Sequence, residues 1–445
     1  MVSIGRECSS TATVTGKLHR DLRLSPREPA SADAGGRSRE RDVGAVFPDL
    51  PAAPPRPGSG RRRLRVLEVV EATSAGVGRH VADLCASLLA RGHEVHLAYS
   101  RLRMEERFAR TIAALSDIRT FPLQLTRAPS PSDIRAILAL RSYIRAHGPF
   151  DVVHGHSSKG GAVARLAARA LGPARVYSAH ALRTLDPDLS RGERVLYEGV
   201  ERVLGRGLTE AFFASSEEEA REARRLGVAP ARAHVVANGI ALPPLPDRSA
   251  ARASYSLDDG QLCLMWVGRL APQKAPDRFL RLFAAAAGPF PEVRAVMIGS
   301  GPLEPGLREL ARSLGLGDRL QLSRDEYAVR SMAAADVLVM TSRYEGLPYV
   351  VLEGQSLGLP VVAFDAGGIA SVVDDGVTGF VLAQDDEAGF GAALRRLIND
   401  AGLRRSMGEA ARRRAERFRL EDMVDRIEAL YFDLSRDCSH ARRAA

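Results

Sequence analysis

The sequence predicts an α/β protein built from two doubly wound parallel sheets. Three observations carry that expectation. From Leu64 onward, short apolar runs alternate with longer amphipathic stretches, the pattern of successive βαβ units. Most of the runs end in glycine, serine or histidine just before a helix, where open parallel sheets bind ligands. The alternation is broken once, by Leu242-Pro243-Pro244-Leu245-Pro246, a stiff linker. The expected units are an N-terminal domain over residues 64–238, a linker over 239–260, a second domain over 261–418 and a last helix over 420–435. Residues 1–60 are rich in Pro, Gly, Ser, Ala and Arg without an apolar cluster, and read as a disordered N-terminal extension.

The first half opens with a strand over 65–70. Ser74-Ala75-Gly76-Val77-Gly78-Arg79-His80 follows and leads into a helix ending near Arg91. A dinucleotide fingerprint fails here, because Val81 stands at the third glycine and Tyr99-Ser100 offers no acid for a ribose. Strands follow over 93–99 and 118–121, and helices over 105–115 and 132–147, the second capped by Ser132. The strand over 151–155 ends in His154-Gly155-His156-Ser157-Ser158-Lys159, and the strand over 175–179 ends at His180. Histidines at the ends of parallel strands face the ligand crevice. A metal is not expected at the His-x-His pair, because no third ligand is near in sequence. Asp186-Pro187-Asp188 reads as a turn before a helix cap at Ser190. Strands over 209–215 and 234–237 lead to Asn238-Gly239-Ile240.

The second half opens with a strand over 262–267. Gly268-Arg269-Leu270-Ala271-Pro272-Gln273-Lys274 follows, two cations on a glycine-started loop at a helix start, suited to clamp a diphosphate. Strands over 293–298 and 319–322 come next. A strand over 335–340 then leads to Ser342-Arg343-Tyr344-Glu345-Gly346-Leu347-Pro348-Tyr349-Val350-Val351-Leu352-Glu353. Pro348 suits a first helical turn, which places Glu345 on the loop and Glu353 about two turns up the helix. Two carboxylates that far apart grip the ends of an extended ligand, and the free N–H groups between them favour an anion. A strand over 360–364 and Asp365-Ala366-Gly367-Gly368-Ile369 follow, then helices over 386–400 and 403–418.

The totals exclude several classes. The chain has 445 residues, 45% hydrophobic and 26% charged, without an apolar run long enough to span a membrane. The net charge is +9, but residues 1–63 carry 12 basic and 7 acidic residues, so the rest is only mildly basic and nucleic acid is not an expected partner. Cys8, Cys85, Cys263 and Cys438 show no metal spacing and fit a cytoplasmic chain, with Cys85 and Cys263 as core residues.

At the segment from Ser342 to Glu353 the sequence resembles the retaining glycosyltransferases of family 4 (group 1), with the GT-B fold. Gly268-Arg269 and Lys274 resemble that family's G-R-x-x-x-x-K-G motif, with Ala275 in place of the usual glycine. Ala75-Gly76 stands where a Gly-Gly pair is usual. The segment around His180 is similar to exopolysaccharide glycosyltransferases of the family. The resemblance covers roughly residues 64–435. It implies transfer of a sugar from a UDP- or GDP-sugar, a cosubstrate rather than a cofactor, without a metal. It assigns catalysis to His180, Glu345, Arg269 and Lys274. Donor binding falls to Gly76, Gly268, Arg269, Lys274, Glu345, Gly346, Leu347, Pro348 and Glu353, and the acceptor cleft to Gly78, His156 and Lys159. The expected acceptor is a lipid-linked sugar, with a soluble acceptor as the alternative. Basic and apolar residues over 101–110, with Arg135, Arg141 and Arg145, suggest docking on an anionic membrane at its inner face. Rival readings are a nucleotide-sugar epimerase, a glycosidase and a donor-binding subunit without turnover.

Overall fold

The computed structural model describes residues 62–444, apart from 103, 127, 128, 243, 326 and 327. The extension expected over 1–60 lies outside the described residues. Both sheets belong to one compact unit. Each is wholly parallel. The first takes β1 (Arg65–Val70), β2 (Glu94–Ser100), β3 (Arg119–Leu123), β4 (Val152–His156), β5 (Ala174–Ser178), β6 (Ala211–Ala214) and β7 (Ala233–Val235), in the spatial order β3-β2-β1-β4-β5-β6-β7. The second takes β8 (Leu262–Val267), β9 (Val293–Ile298), β10 (Leu320–Ser323), β11 (Val337–Met340), β12 (Val361–Phe364) and β13 (Gly379–Leu382), in the order β10-β9-β8-β11-β12-β13. The direction of winding reverses between β1 and β4 and again between β8 and β11. Those are the points where a crevice opens at the carboxyl ends of the strands.

The strands are apolar on both faces because helices cover both. Leu84, Cys85, Leu88, Val424 and Ile427 pack on one side of the first sheet, and Leu140, Ile144, Val163 and Ala167 on the other. The second sheet is sandwiched likewise, with Phe279, Phe283 and Phe390 on one face and Met332, Val351 and Leu352 on the other. Cys85 and Cys263 are buried free thiols.

The long helix Leu420–Ala444 returns to the first sheet. Its Glu428 accepts from Arg91 at 2.7 Å and from His93 Nε2 at 2.7 Å. Its Tyr431 donates to Glu68 on β1 at 3.0 Å. The crossing occurs at Gly239-Ile240, where Ile240 bridges Arg419.

Three local features differ from the sequence expectation. Ser132 is the first residue of its helix rather than the cap; Asp133 folds back to accept from the Ser130 N–H at 2.9 Å. The linker over 239–260 contains a helix, Arg248–Ser254, whose Arg252 is buried against the carbonyls of Ala334, Asp258 and Gln261. Tyr255 and Leu257 then join the core of the second sheet. Strand β13, an edge strand, was not anticipated.

Candidate active site

The loops after β8, β11 and β12 form one wall of the crevice. The loop after β8 ends in a left-handed residue, Ala275 (φ 44°), before the helix Pro276–Ala287. Thr341, at the end of β11, donates to the carbonyl of Lys274 or Ala275 (3.1 and 2.9 Å), which ties the two loops together. Lys274 Nζ forms an ion pair with Glu345, whose carboxylate is buried. The Glu345 N–H donates to Ala366 O at 2.7 Å, and Glu345 bridges Gly367. Arg269 lies half-buried on the same loop as Lys274, next to Gly268.

Gly346 sits where the two domains touch. A Cβ there would lie 2.9 Å from Ser215 Oγ and 3.0 Å from the Ala181 nitrogen, so only glycine permits this approach. Leu347 is buried, and its carbonyl accepts from Asn238 Nδ2 at 2.7 Å. Pro348 is the residue before the helix, not its first: the helix runs Tyr349–Ser356. Glu353 is four residues past Tyr349, about one turn up the helix where two were expected. Glu353 is paired with Arg79 from the opposite wall.

The opposite wall comes from the loops after β1, β4 and β5. Ala75, at the start of the helix Ala75–Ala90, is left-handed (φ 52°). A Cβ on Gly76 would reach the Tyr349 ring at 3.3 Å, and one on Gly78 would strike the Thr73 backbone at 2.7 Å. His80 Nδ1 and Tyr349 OH are 3.0 Å apart, while His80 Nε2 is buried without a hydrogen-bond partner. Burial and, next, the neighbouring His156 push the His80 pKa down to about 3, against a smaller opposing contribution from Asn238.

His180 is left-handed at φ 55°, and Ala181 follows at φ 93°. This strained pair is pinned by Glu219, which is fully buried and accepts from Ala181 N at 2.8 Å and from Ser215 N at 2.7 Å. His156 Nδ1 lies 2.9 Å from His180 Nε2, and His156 Nε2 lies 2.7 Å from Glu68 Oε2.

The expectation that no third ligand lies near the His-x-His pair is corrected here. Ligand atoms of His80, His156 and His180 all fall within 4.8 Å of one another, as do those of Glu68, His154 and His156. Sequence spacing could not show this, because the three histidines come from the helix after β1, the end of β4 and the turn after β5. His156, expected to line the acceptor cleft, is buried beneath His180. Lys159 pairs with Asp133 at 2.8 Å, away from the histidines. Asp186 accepts from the Asp188 N–H at 3.0 Å, a local turn, and pairs with Arg183, while Asp188 pairs with Arg343.

Several residues of the site were not anticipated: Glu68, Arg79, His80, Glu219, Tyr349 and Glu218. The Glu218 pKa is raised, by burial first and then by Asp365. Arg79, His80 and Tyr349 stand in stretches already singled out but had no assigned role, while Glu68, Glu218 and Glu219 carry no positional signal.

Two family models match the chain in sequence order. Residues 74–242 match Glycosyltransferase Family 4, and residues 247–414 match Glycosyl transferases group 1. The chain belongs to the family 4 glycosyltransferases. Among curated relatives of this family, the D-inositol 3-phosphate glycosyltransferase of Streptomyces avermitilis is 34% identical over 61% of this chain and 62% of its own length. That of Geodermatophilus obscurus is 32% identical over 67% and 70%. The match thus spans less than two thirds of the first of these relatives. Among solved structures, sucrose-phosphate synthase from Thermosynechococcus elongatus superposes with a TM-score of 0.72 at 21% identity, over 84% of this chain and 99% of that one. Anabaena HepE in complex with UDP-glucose gives 0.69 at 19%, over 83% and 100%. These likenesses establish the GT-B fold for this family 4 chain.

Proposed function

We propose that this protein transfers a sugar from a UDP- or GDP-sugar to an acceptor hydroxyl, with retention of configuration and without a metal. One observation carries the reading. Lys274, Glu345 and Glu353 gather at the switch point of the second sheet, and Gly346 between the two glutamates packs directly on the turn of His180. Arg269 and Lys274, with the N–H groups opening the helix Tyr349–Ser356, would stabilise charge developing on the leaving diphosphate. Those are fixed positive charges, so the leaving group needs no cation. Glu345 would hold donor-sugar hydroxyls and His180 would contact the transferring sugar. Glu353 would hold the ribose, which requires the ribose to displace Arg79.

A lipid-linked acceptor is favoured by an exposed surface on the first domain. Leu102 and Met104, after β2, are exposed, as are Ile134 and Leu138 on the helix Ser132–His147 that also carries the exposed Arg135 and Arg145. Arg141 does not contribute, because it donates to the carbonyls of Ala167 and Arg169. Among the described residues no helix is long and apolar enough to cross a membrane, so docking would be peripheral. The names of the curated relatives favour the second reading, a soluble polyol phosphate.

The test incubates the chain with a panel of UDP- and GDP-sugars in EDTA, with and without lipid extract or inositol phosphate. Acceptor-dependent release of nucleoside diphosphate is expected, with the product anomer matching the donor. Epimerised donor in the absence of acceptor would replace this reading with an epimerase. Activity lost on chelation and restored by manganese would overturn the metal-free step.

A further inference from the structure

We propose that Glu68 and His156 are positioning residues that fix the tautomer of His180, so that His180 presents a bare, hydrogen-bond-accepting Nδ1 to the crevice. The consequence for the donor sugar rests on the reading above; the tautomer itself does not.

The direction of each proton follows from the partner at the buried end. Glu68 is fully buried on β1. A carboxylate accepts and cannot donate. Its Oε1 receives the Tyr431 hydroxyl at 3.0 Å, and its Oε2 faces His156 Nε2 at 2.7 Å. In the arrangement proposed here His156 Nε2 carries the proton shared with Glu68, and its Nδ1 is the lone pair. That lone pair faces His180 Nε2 at 2.9 Å. For this contact to be a hydrogen bond, His180 Nε2 must be the donor.

Burial, and then the nearby His80 and His156, hold the His180 pKa well below the ordinary histidine range, so the ring is neutral. A neutral ring protonated on Nε2 has its acceptor on Nδ1. Among the described residues the hydrogen bond of the His180 ring runs through Nε2 to His156. Nδ1 is the atom left for a ligand.

The backbone supports this orientation. The left-handed His180-Ala181 turn is held from below by Glu219, and the His156 and His180 rings lie end to end and nearly coplanar, 16° apart with centroids at 5.2 Å. Tyr431 brings the C-terminal helix into the same chain of bonds. An accepting Nδ1 matches a sugar hydroxyl, whose O–H can donate. It repels a carboxylate, which has nothing to donate, so a neutral sugar is favoured over a uronate at this position.

The decisive measurement is long-range proton–nitrogen NMR on the chain labelled with 15N-histidine, without ligand, with His180 assigned through His180→Gln. Expected are His156 and His180 both neutral and both protonated on Nε2 at pH 7. A through-hydrogen-bond nitrogen–nitrogen coupling should link His180 Nε2 to His156 Nδ1. In Glu68→Gln the amide can donate, so the chain can reverse and His180 should gain the Nδ1-protonated form. Turnover should then fall about tenfold, the scale of one lost hydrogen bond.

A His180 protonated on Nδ1 in the wild type overturns the proposal. So does the absence of the coupling, or a His180 tautomer indifferent to Glu68→Gln in folded protein. Stoichiometric zinc, cobalt or nickel bound through these imidazoles in the purified chain also overturns it, since a metal would replace the His156–His180 bond. Should Glu68→Gln fail to fold, the wild-type spectrum still decides. A failed tautomer test beside a His180→Ala variant that loses turnover would leave the transferase reading standing. The converse pair of results would leave the tautomer standing without it.

Discussion

Ala75 and Ala275 both adopt left-handed backbone at positions where glycine is common in family 4. A left-handed alanine costs about 1–2 kcal/mol, while glycine gives back about 0.5–1 kcal/mol in unfolded-state entropy. Ala75 is exposed, so its methyl contributes little by burial. Ala75→Gly is therefore expected to stabilise the fold by up to ~1 kcal/mol in denaturant titration; a clear destabilisation would show that the turn needs the methyl. Ala275 is buried, so Ala275→Gly should gain less. At this scale the sequence revealed residues that stand on named loops, such as Lys274, Glu345 and His180, because strand ends can be located from apolar runs. It concealed residues whose role depends on another strand. Glu68 reads as one polar residue in an apolar run, and His80 as one more helix residue. Only the sheet order brings them to His156.

Besides the Tyr431–Glu68 bond, the C-terminal helix is held by a polar lock, Glu428 between Arg91 and His93. His93 Nδ1 accepts from the Leu64 N–H at 3.2 Å, so its Nε2 carries the proton given to Glu428. Burial raises the Glu428 pKa, but the bonds from His93 and Arg91 outweigh it and leave the carboxyl below its ordinary value. A depressed carboxyl pKa stabilises the fold above the unfolded pKa, and that stability is lost as pH falls through the folded value. Glu428→Ala should cost about 1–3 kcal/mol at pH 7, the range for leaving buried partners unsatisfied. The gap to wild type should shrink as pH drops below about 4.5, toward the folded pKa. A gap independent of pH would place the loss in packing rather than in the lock. Elements with long apolar runs, such as β8 and β9, were legible to the residue. The helix Arg248–Ser254 was not, because it anchors through arginine bonds to carbonyls, and such bonds leave no apolar periodicity. The two turns expected for Glu353 count all eight residues from Glu345 as helical, whereas the helix starts only at Tyr349, after an extended Pro348 (ψ 122°).

The whole molecule is two wholly parallel sheets with a switch point in each; the order of apolar runs predicts the two sheets, and the family resemblance implies the cleft between them. The closure between them was not foreseeable. It depends on Arg79 with Glu353, His80 with Tyr349 and Asn238 with the Leu347 carbonyl, pairs 109 to 274 residues apart. Removing residues 1–60 should leave donor affinity and melting temperature unchanged, since the described core begins at Leu64. A truncated chain that is insoluble or melts much lower would contradict this. Peripheral docking predicts that the chain pellets with anionic but not neutral vesicles at low salt and is released by high salt; a chain that stays in the supernatant would redirect the search to soluble acceptors. The central claim, a nucleoside diphosphate site built on Lys274 and its neighbours, is tested most directly by calorimetry of UDP and GDP with wild type and Lys274→Ala. One nucleotide should bind the wild type at one site, and the variant should lose about 1–3 kcal/mol of binding free energy, the range for a charged hydrogen-bond partner. Equal affinity in folded variant and wild type, or binding of neither nucleotide, would contradict it.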